Sequence, residues 1–315
     1  MQGHFLGEGP AVYEGSTTMG DLIRISGVTK HYGDDFALRE VDLSVPRGCV
    51  TGFVGANGAG KTTTIKAILG LISIESGSIE LFGEPFGMNA DGERSRCAKE
   101  RIGVVFDTCP YVGELSVKMA GRIMAASYSS WDAGRFADYL RRFSLDPKKK
   151  VKDLSRGMGM KLQLACALAH DPELLILDEA TAGLDPLARD EILDMLRDYM
   201  KDERRGILMS SHITTDLEKI ADAVACIDDG RIVFDMEKDL ITDMAGIGRC
   251  RAADYERVLA SGRYAPGELR VMRNAYGVDL LVADRFAFAQ QFPEIACDKT
   301  SIEDYMQLIL KGEIR

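Results

Sequence analysis

The stretch Gly55-Ala56-Asn57-Gly58-Ala59-Gly60-Lys61-Thr62 has the residue types and spacing to hold a polyphosphate, because it fits the pattern G-x-x-x-x-G-K-[ST]. Gly55, Gly58 and Gly60 let the backbone turn tightly and bring its N–H groups, with those of Asn57 and Ala59, close to an anion. Lys61 can reach β- and γ-phosphates, and the Thr62 hydroxyl can ligate Mg²⁺. A second stretch, Leu174-Leu175-Ile176-Leu177-Asp178-Glu179, ends four apolar residues in two acids. On that run alone the acids fit a plain strand end equally well. With a phosphate loop upstream, they fit the metal and water that phosphoryl transfer needs. Asp107 follows Ile102–Phe106, and His212 follows Gly206–Ser211, so each puts a polar group just beyond an apolar run.

These groups need strands and helices to aim them. Val50-Thr51-Gly52-Phe53-Val54 is short and apolar enough for a buried strand, and Thr62-Thr63-Thr64-Ile65-Lys66-Ala67-Ile68-Leu69 reads as a helix. Its unpaired first-turn N–H groups, Thr63 included, face the same anion. Buried parallel strands ending in carboxylates deliver them to a crevice beyond the sheet. Strand-like and helical stretches alternate onward to a closing hairpin around Asp228-Asp229-Gly230, which argues for an α/β core with a largely parallel sheet.

Upstream, Leu22–Ile25 and the alternating Val41, Leu43 and Val45 suggest an antiparallel edge layer. Tyr32 lies between them. Alone it reads as a packing residue, although an aromatic there can stack on a purine. From Leu115 to Phe143 the pattern turns helical, with Met119, Ile123 and Met124 expected as core contacts of an insertion. Lys148-Lys149-Lys150 with Lys152 reads as a solvated connection. After about residue 240 the nucleotide signals stop. Residues 269–273 and 278–282 suggest a strand pair, and Thr300 is expected to cap a final helix with Glu303 reaching back. The apolar face of that helix, Ile302, Tyr305, Met306, Ile309 and Leu310, is expected in the core of a small C-terminal α/β or α+β module.

Length and composition bound the rest. A chain of 315 residues can bury one large domain, or one plus a small one. A net charge of -10 does not favour a broad nucleic-acid surface or attraction to anionic lipid. No apolar run approaches the length of a spanning helix, so a membrane role needs a partner that carries the spans. The 7 cysteines make no C-x-x-C pair, which points to reduced thiols in a cytosolic protein rather than a disulfide framework or a zinc site. Residues 1–18 lack a basic-then-apolar start and read as a flexible extension.

The order of these elements over about residues 21–235 resembles the ATP-binding cassette family. The most specific part is Leu154-Ser155-Arg156-Gly157-Met158, a Leu-Ser-x-Gly segment just before the acidic strand, followed by Ala182–Asp185 and His212. The resemblance implies a phosphate-loop nucleoside triphosphatase with an antiparallel edge layer and a helical insertion at about 108–168, spanning 19–238, followed by an accessory domain over 239–315. It further implies ATP and Mg²⁺ as ligands. Tyr32 would stack on adenine, Lys61 hold the β- and γ-phosphates, Thr62 and Asp178 support Mg²⁺, Glu179 polarise the attacking water, and His212 contact the γ-phosphate region. Ser155 and Gly157 would close on ATP held by an opposite subunit, with Asp185 communicating across the seam of a homodimer or a heterodimer with a related ATPase. The partner implied is a transmembrane permease on a separate polypeptide. The tail-bearing form is similar to ATPases of drug, peptide or lantibiotic-type exporters, working peripherally on the cytoplasmic face of the membrane.

Two positions depart from the family's usual pattern. Asp107 stands where glutamine is usual, so it can accept or ligate but cannot donate through an amide. Arg156-Gly157-Met158 stands where Gly-Gly-Gln is commonest, adding charge near the expected triphosphate. Other readings remain. One is an ATP-gated clamp on nucleic acid or ribosomes, which the acidic balance disfavours. The other is a weakly hydrolysing regulatory subunit, which the presence of Lys61, Glu179 and His212 disfavours.

Overall fold

The computed structural model describes residues 20–33, 36–87, 92–265 and 267–315. The N-terminal extension expected at 1–18 lies outside these. A first layer holds β1 (Asp21–Tyr32), β2 (Phe36–Pro46), β4 (Ser76–Leu81) and β5 (Glu84–Phe86) in the antiparallel order β2-β1-β4-β5. Between them in sequence come β3 (Val50–Val54) and α1 (Lys61–Ile68). The polar stretch before residue 100 forms a helix, α2 (Gly92–Glu100), with no buried side chain.

The central sheet has six strands in the order β10-β9-β3-β8-β7-β6. Its members are β3, β6 (Ile102–Val105), β7 (Leu174–Asp178), β8 (Gly206–Ser210), β9 (Ala223–Asp228) and β10 (Arg231–Glu237). All pairings are parallel except β9 with β10. Every residue of β3, β7 and β8 is buried, as expected for parallel strands covered on both faces. Alternation along the strands divides two cores. Leu174, Ile176, Phe53 and Leu208 pack with α1 and the edge layer. Leu175, Leu177, Ile207 and Met209 pack with the helices on the other side. Because β3, β8, β7 and β6 are neighbours running the same way, their C-terminal ends converge on one rim.

The insertion carries α3 (Val117–Ser127), α4 (Ala133–Arg142) and α5 (Arg156–Leu168), each started by a side-chain cap, from Ser116, Asp132 and Ser155 respectively. Met119 and Ile123, expected in the core, are exposed. The buried side of α3 is Val117, Ala120 and Gly121, because close approach to Phe136 selects small residues there. In the basic connection, Lys150 and Lys152 both pair with Glu114 at 2.8 Å.

After β7 come α6 (Pro186–Tyr199) and, beyond β8, α7 (Thr214–Ile220). The C-terminal region adds β11 (Gly246–Cys250), α8 (Ala252–Ala260), β12 (Arg270–Asn274), β13 (Gly277–Val282), α9 (Arg285–Gln291), β14 (Cys297–Lys299), α10 (Ile302–Lys311) and β15 (Glu313–Ile314). Its antiparallel sheet runs β14-β11-β13-β12-β15 over a separate small core. Two expectations change here. Ser301, not Thr300, caps α10, because Ser301 has the extended backbone and its Oγ accepts from Asp304 N at 3.0 Å. Glu303 instead accepts from Gln307. Ile302, Tyr305 and Leu308 join the large core around α6 and α7 rather than the module's own, with Tyr305 edge-on to Phe234 at 5.2 Å.

Candidate nucleotide site

The phosphate loop leaves β3 at Val54 and enters α1 at Lys61. Gly55, Gly58 and Gly60 have φ of 155°, 83° and 124°, values that L side chains rarely adopt. A Cβ at Gly55 would also sit 2.3 Å from the Ile227 carbonyl oxygen, so only glycine brings this loop so close to β9. Lys61 is buried, and its Nζ donates to the carbonyls of Gly55 at 2.8 Å and Ala56 at 3.3 Å. It also lies 3.6 Å from Glu179 Oε1.

The end of β7 faces this loop. Asp178 is buried and accepts two hydroxyl hydrogen bonds, from Thr62 Oγ1 at 3.0 Å and Ser210 Oγ at 2.6 Å. Glu179 has φ of 53°, a strained conformation for a side chain of this size. That turn is pinned by β8, since Glu179 N donates to both the Ser210 carbonyl and its hydroxyl, each at 3.1 Å. At the carboxyl end, Glu179 Oε2 is 2.6 Å from His212 Nδ1 and accepts from His212 N at 3.2 Å. A carboxylate is thus fixed between a lysine and a histidine.

A cavity of about 460 Å³ opens over this group. Of the residues expected at the site, Asn57, Gly58, Gly60, Lys61, Thr62, Thr63, Asp107, Glu179 and His212 line it. Gly55 and Ala59 belong to the loop, and Asp178 adjoins it through Thr62. Ser155 lies in an adjacent cavity of about 260 Å³. Gly157 packs near Leu184 and Ala188, and Asp185 caps α6 by accepting from Ala188 N at 3.0 Å. Tyr32 is 44% exposed and is not in the cavity wall. Within one chain, these four residues do not join the cluster of Lys61, Glu179 and His212.

Ser210 and Gln163 have positioning roles that the sequence reading did not assign. Ser210 joins Asp178 to the Glu179 backbone, and a hydroxyl closing an apolar strand was the available signal. Gln163, buried on α5, exchanges hydrogen bonds with Phe106 N at 3.0 Å and Phe106 O at 3.1 Å and so sets the backbone before Asp107. The thiol of Cys226 is buried and pushed up to about 12 by burial, which makes it a packing group rather than a nucleophile.

The donor set suits a hard cation. Asp178 and Thr62 offer oxygens beside the loop, and Mg²⁺ is ordinarily held by one or two carboxylates plus substrate phosphates. Among the described residues there is no cluster of three or more His, Cys, Asp or Glu of the kind that cages a metal without substrate.

Fold and site together define a phosphate-loop nucleoside triphosphatase with a helical insertion. A family model described as "ABC transporter" matches residues 38–182. The chain is 35% identical over 223 residues to the bacitracin transport ATP-binding protein of Bacillus licheniformis, covering 70% of this chain and 71% of that protein. It is 34% identical over 224 residues to a lantibiotic transport ATP-binding protein of Streptococcus pyogenes, covering 69% and 92%. A solved ATP-binding subunit of an ABC transporter superposes with a TM-score of 0.63 at 30% identity, over 70% of this chain and 91% of that one. The chain belongs to the ATP-binding cassette family, and it is an ATPase of the transporter type.

Proposed function

We propose that this chain hydrolyses Mg-ATP at the Glu179 centre and passes the resulting motion to a separate transmembrane permease, in an exporter. The observation that carries the reading is the carboxylate of Glu179 held between Lys61 and His212 beside a glycine-built phosphate loop. Among the described residues no helix is long and apolar enough to cross a membrane; in this reading the spans belong to the partner. The transport names of its relatives support the exporter class. In this reading residues 19–238 are the ATPase domain, 239–315 are accessory, and the chain sits on the cytoplasmic face of the membrane through its permease.

The chemistry follows from the groups present. Glu179 orients water and accepts its proton as the water oxygen bonds to the γ-phosphorus and the β–γ bridging oxygen departs with ADP. Lys61 exchanges its loop carbonyls for phosphate oxygens and offsets the charge that develops. His212 keeps the Glu179 carboxylate in line. Thr62, Asp178 and Asp107 would hold Mg²⁺, which supplies neutralising charge on the phosphates. Ser155, Gly157 and Asp185 lie outside the cluster, which fits a role toward nucleotide held by a second copy or a related ATPase. Tyr32 is exposed at the end of β1, where an incoming adenine can reach it.

Glu179→Gln tests the assignment. Turnover is expected to fall by roughly 100- to 10,000-fold, the range for a lost general base, with ATP affinity little changed and ATP-bound dimers accumulating. Turnover at the parent rate under saturating Mg-ATP sinks the assignment. Affinity capture from membranes should recover a multi-span protein. ATP-dependent retention of RNA or DNA at physiological salt, with no such protein, would replace transport by a nucleic-acid clamp.

A further inference from the structure

The helix behind His212 is held from the far side of the molecule. α7 starts at Thr214, just after His212, and has 7 residues. A helix that short has little stability of its own in water, and Ile213 at its start supplies no side-chain cap. Its position therefore comes from its neighbours. Leu217 lies on β3, where a Cβ built on Gly52 would be 3.1 Å from Leu217 Cδ1. Toward α6, Lys219 pairs with Asp190 at 2.8 Å, and Arg189 Nε stands 3.6 Å from the buried Asp216 carboxylate. The first is an exposed pair, which contributes little, and the second is longer than a hydrogen bond.

The third neighbour is α10, which belongs to the C-terminal module. Ser301 caps that helix by accepting from Asp304 N, so the Ile302 N–H of the first turn needs another acceptor. Glu218 Oε1 of α7 is that acceptor, at 2.9 Å. A carboxylate in this place also meets the positive end of the α10 dipole. Beside this bond, Ile302, Tyr305 and Leu308 pack in the cluster that holds Leu217 of α7, Phe234 of β10, and Ile247 and Leu281 from the module's sheet. Val271 and Leu280 of the same sheet turn the other way and close the module's own core. α10 thus joins the module's sheet to α7. The His212 side chain is exposed, so the backbone leading into α7 sets its ring more than packing does, and that ring stands 2.6 Å from Glu179 Oε2.

We propose that the C-terminal module tunes hydrolysis through α7, with Glu218 as the positioning residue by which α10 keeps His212 on Glu179. This rests on the ATPase reading above and gives residues 239–315 a part in turnover. Nucleotide binding does not share the dependence, because the phosphate loop is built from its own glycine backbone.

The experiment uses the full chain and compares parent, Glu218→Ala, Glu218→Gln and Glu303→Ala. It reads turnover at saturating Mg-ATP, equilibrium affinity for a non-hydrolysable ATP analogue, and backbone hydrogen exchange over residues 212–220. Thermal melts monitored by circular dichroism confirm that the variants fold. Glu218→Ala is expected to lower turnover about tenfold, short of the about hundredfold that a 1 Å misplacement can cost. Affinity should stay within about twofold, and exchange over 212–220 should quicken. Glu218→Gln keeps an acceptor oxygen and should recover most of the rate. Glu303→Ala removes an acid from the same helix start, one that bonds Gln307 within α10, and should turn over at the parent rate. Parent turnover or parent exchange in Glu218→Ala overturns the proposal. So does a loss of rate matched by an equal loss of affinity, which makes Glu218 a structural residue only, and so does an equal loss of rate in Glu303→Ala. A parent that hydrolyses no ATP defeats the underlying ATPase reading, a result distinct from all of these.

Discussion

Asp235 is a carboxyl group buried at the closing hairpin, and exchanging it for asparagine should change how stability depends on pH. The residue is 3% exposed on β10, and its Oδ2 has no hydrogen-bond partner. Burial pushes its carboxyl up from 3.8 to about 7. In the unfolded chain the group ionises from pH about 4, whereas in the fold it keeps its proton to about 7. Across that window the native state binds more protons, so stability falls as pH rises and levels off above it. A shift of about 3 units at about 1.36 kcal/mol each corresponds to roughly 4 kcal/mol over the whole window. Between pH about 5.5 and about 8 the share lost is roughly 2 kcal/mol. Nearby Cys49 is pushed up to about 12, mainly by burial, and stays neutral over this range. Asparagine cannot ionise, so the variant lacks this slope. Its amide leaves buried donors that cost about 1–3 kcal/mol at every pH, so the informative quantity is the change with pH. Urea unfolding of parent and Asp235→Asn at both pH values should show the variant gaining about 2 kcal/mol relative to parent at the higher one. Parallel pH dependences would refute the reasoning.

The remaining expectations concern the site and the insertion. Ser210→Ala removes the 2.6 Å donor to Asp178 and one of two acceptors for Glu179 N. A hydrogen bond to a buried charged group implies a stability loss of about 2 kcal/mol, measured by denaturant unfolding, and the Mg²⁺ concentration for half-maximal turnover should rise. An unchanged metal requirement would mean that Asp178 needs no such support. Gly121→Ala places a Cβ 2.3 Å from Phe136 Cε1 in the packed core of the insertion. Overpacking of about 1–3 kcal/mol outweighs the helix-propensity gain of about 1 kcal/mol, so the melting temperature should fall. A rise would show that α3 and α4 separate freely.

Much of the centre could be read from the sequence because its signals are local. The phosphate loop needs glycine at positive-φ positions, and the acids need an apolar strand behind them, so Gly55–Thr62 and Leu174–Glu179 declare themselves within a few residues. Ser210 did not, since a serine after four apolar residues looks the same whether it meets solvent or the neighbouring strand's carboxylate. Its role appears only with the pairing of Asp178 and Ser210. Met119 and Ile123 misled for a related reason. Helical spacing put them on a face, but the size of Phe136 on the facing helix decided which face is inside. The face of α10 likewise carries the periodicity of a packed helix without saying which core it joins. Ile302 N donates to Glu218 on α7 at 2.9 Å, a contact 84 residues apart in sequence.

The strained backbone at Glu179 ties catalytic geometry to strand register. A left-handed conformation at a non-glycine residue costs about 1–3 kcal/mol and persists only where its surroundings over-determine it. Here the surroundings are contributed almost wholly by β8 and the residues just after it, where Ser210 holds the Glu179 amide and His212 holds the carboxylate. A one-residue slip between β7 and β8 would turn Ser210 to the opposite face and release both. What prevents the slip lies away from the site, in the alternation that sends Leu175 and Leu177 into one core and Leu174 and Ile176 into the other. The precision of the carboxylate is therefore a property of the core, and core substitutions on these strands should damage turnover before they damage nucleotide binding, which the loop after β3 supplies through its own backbone.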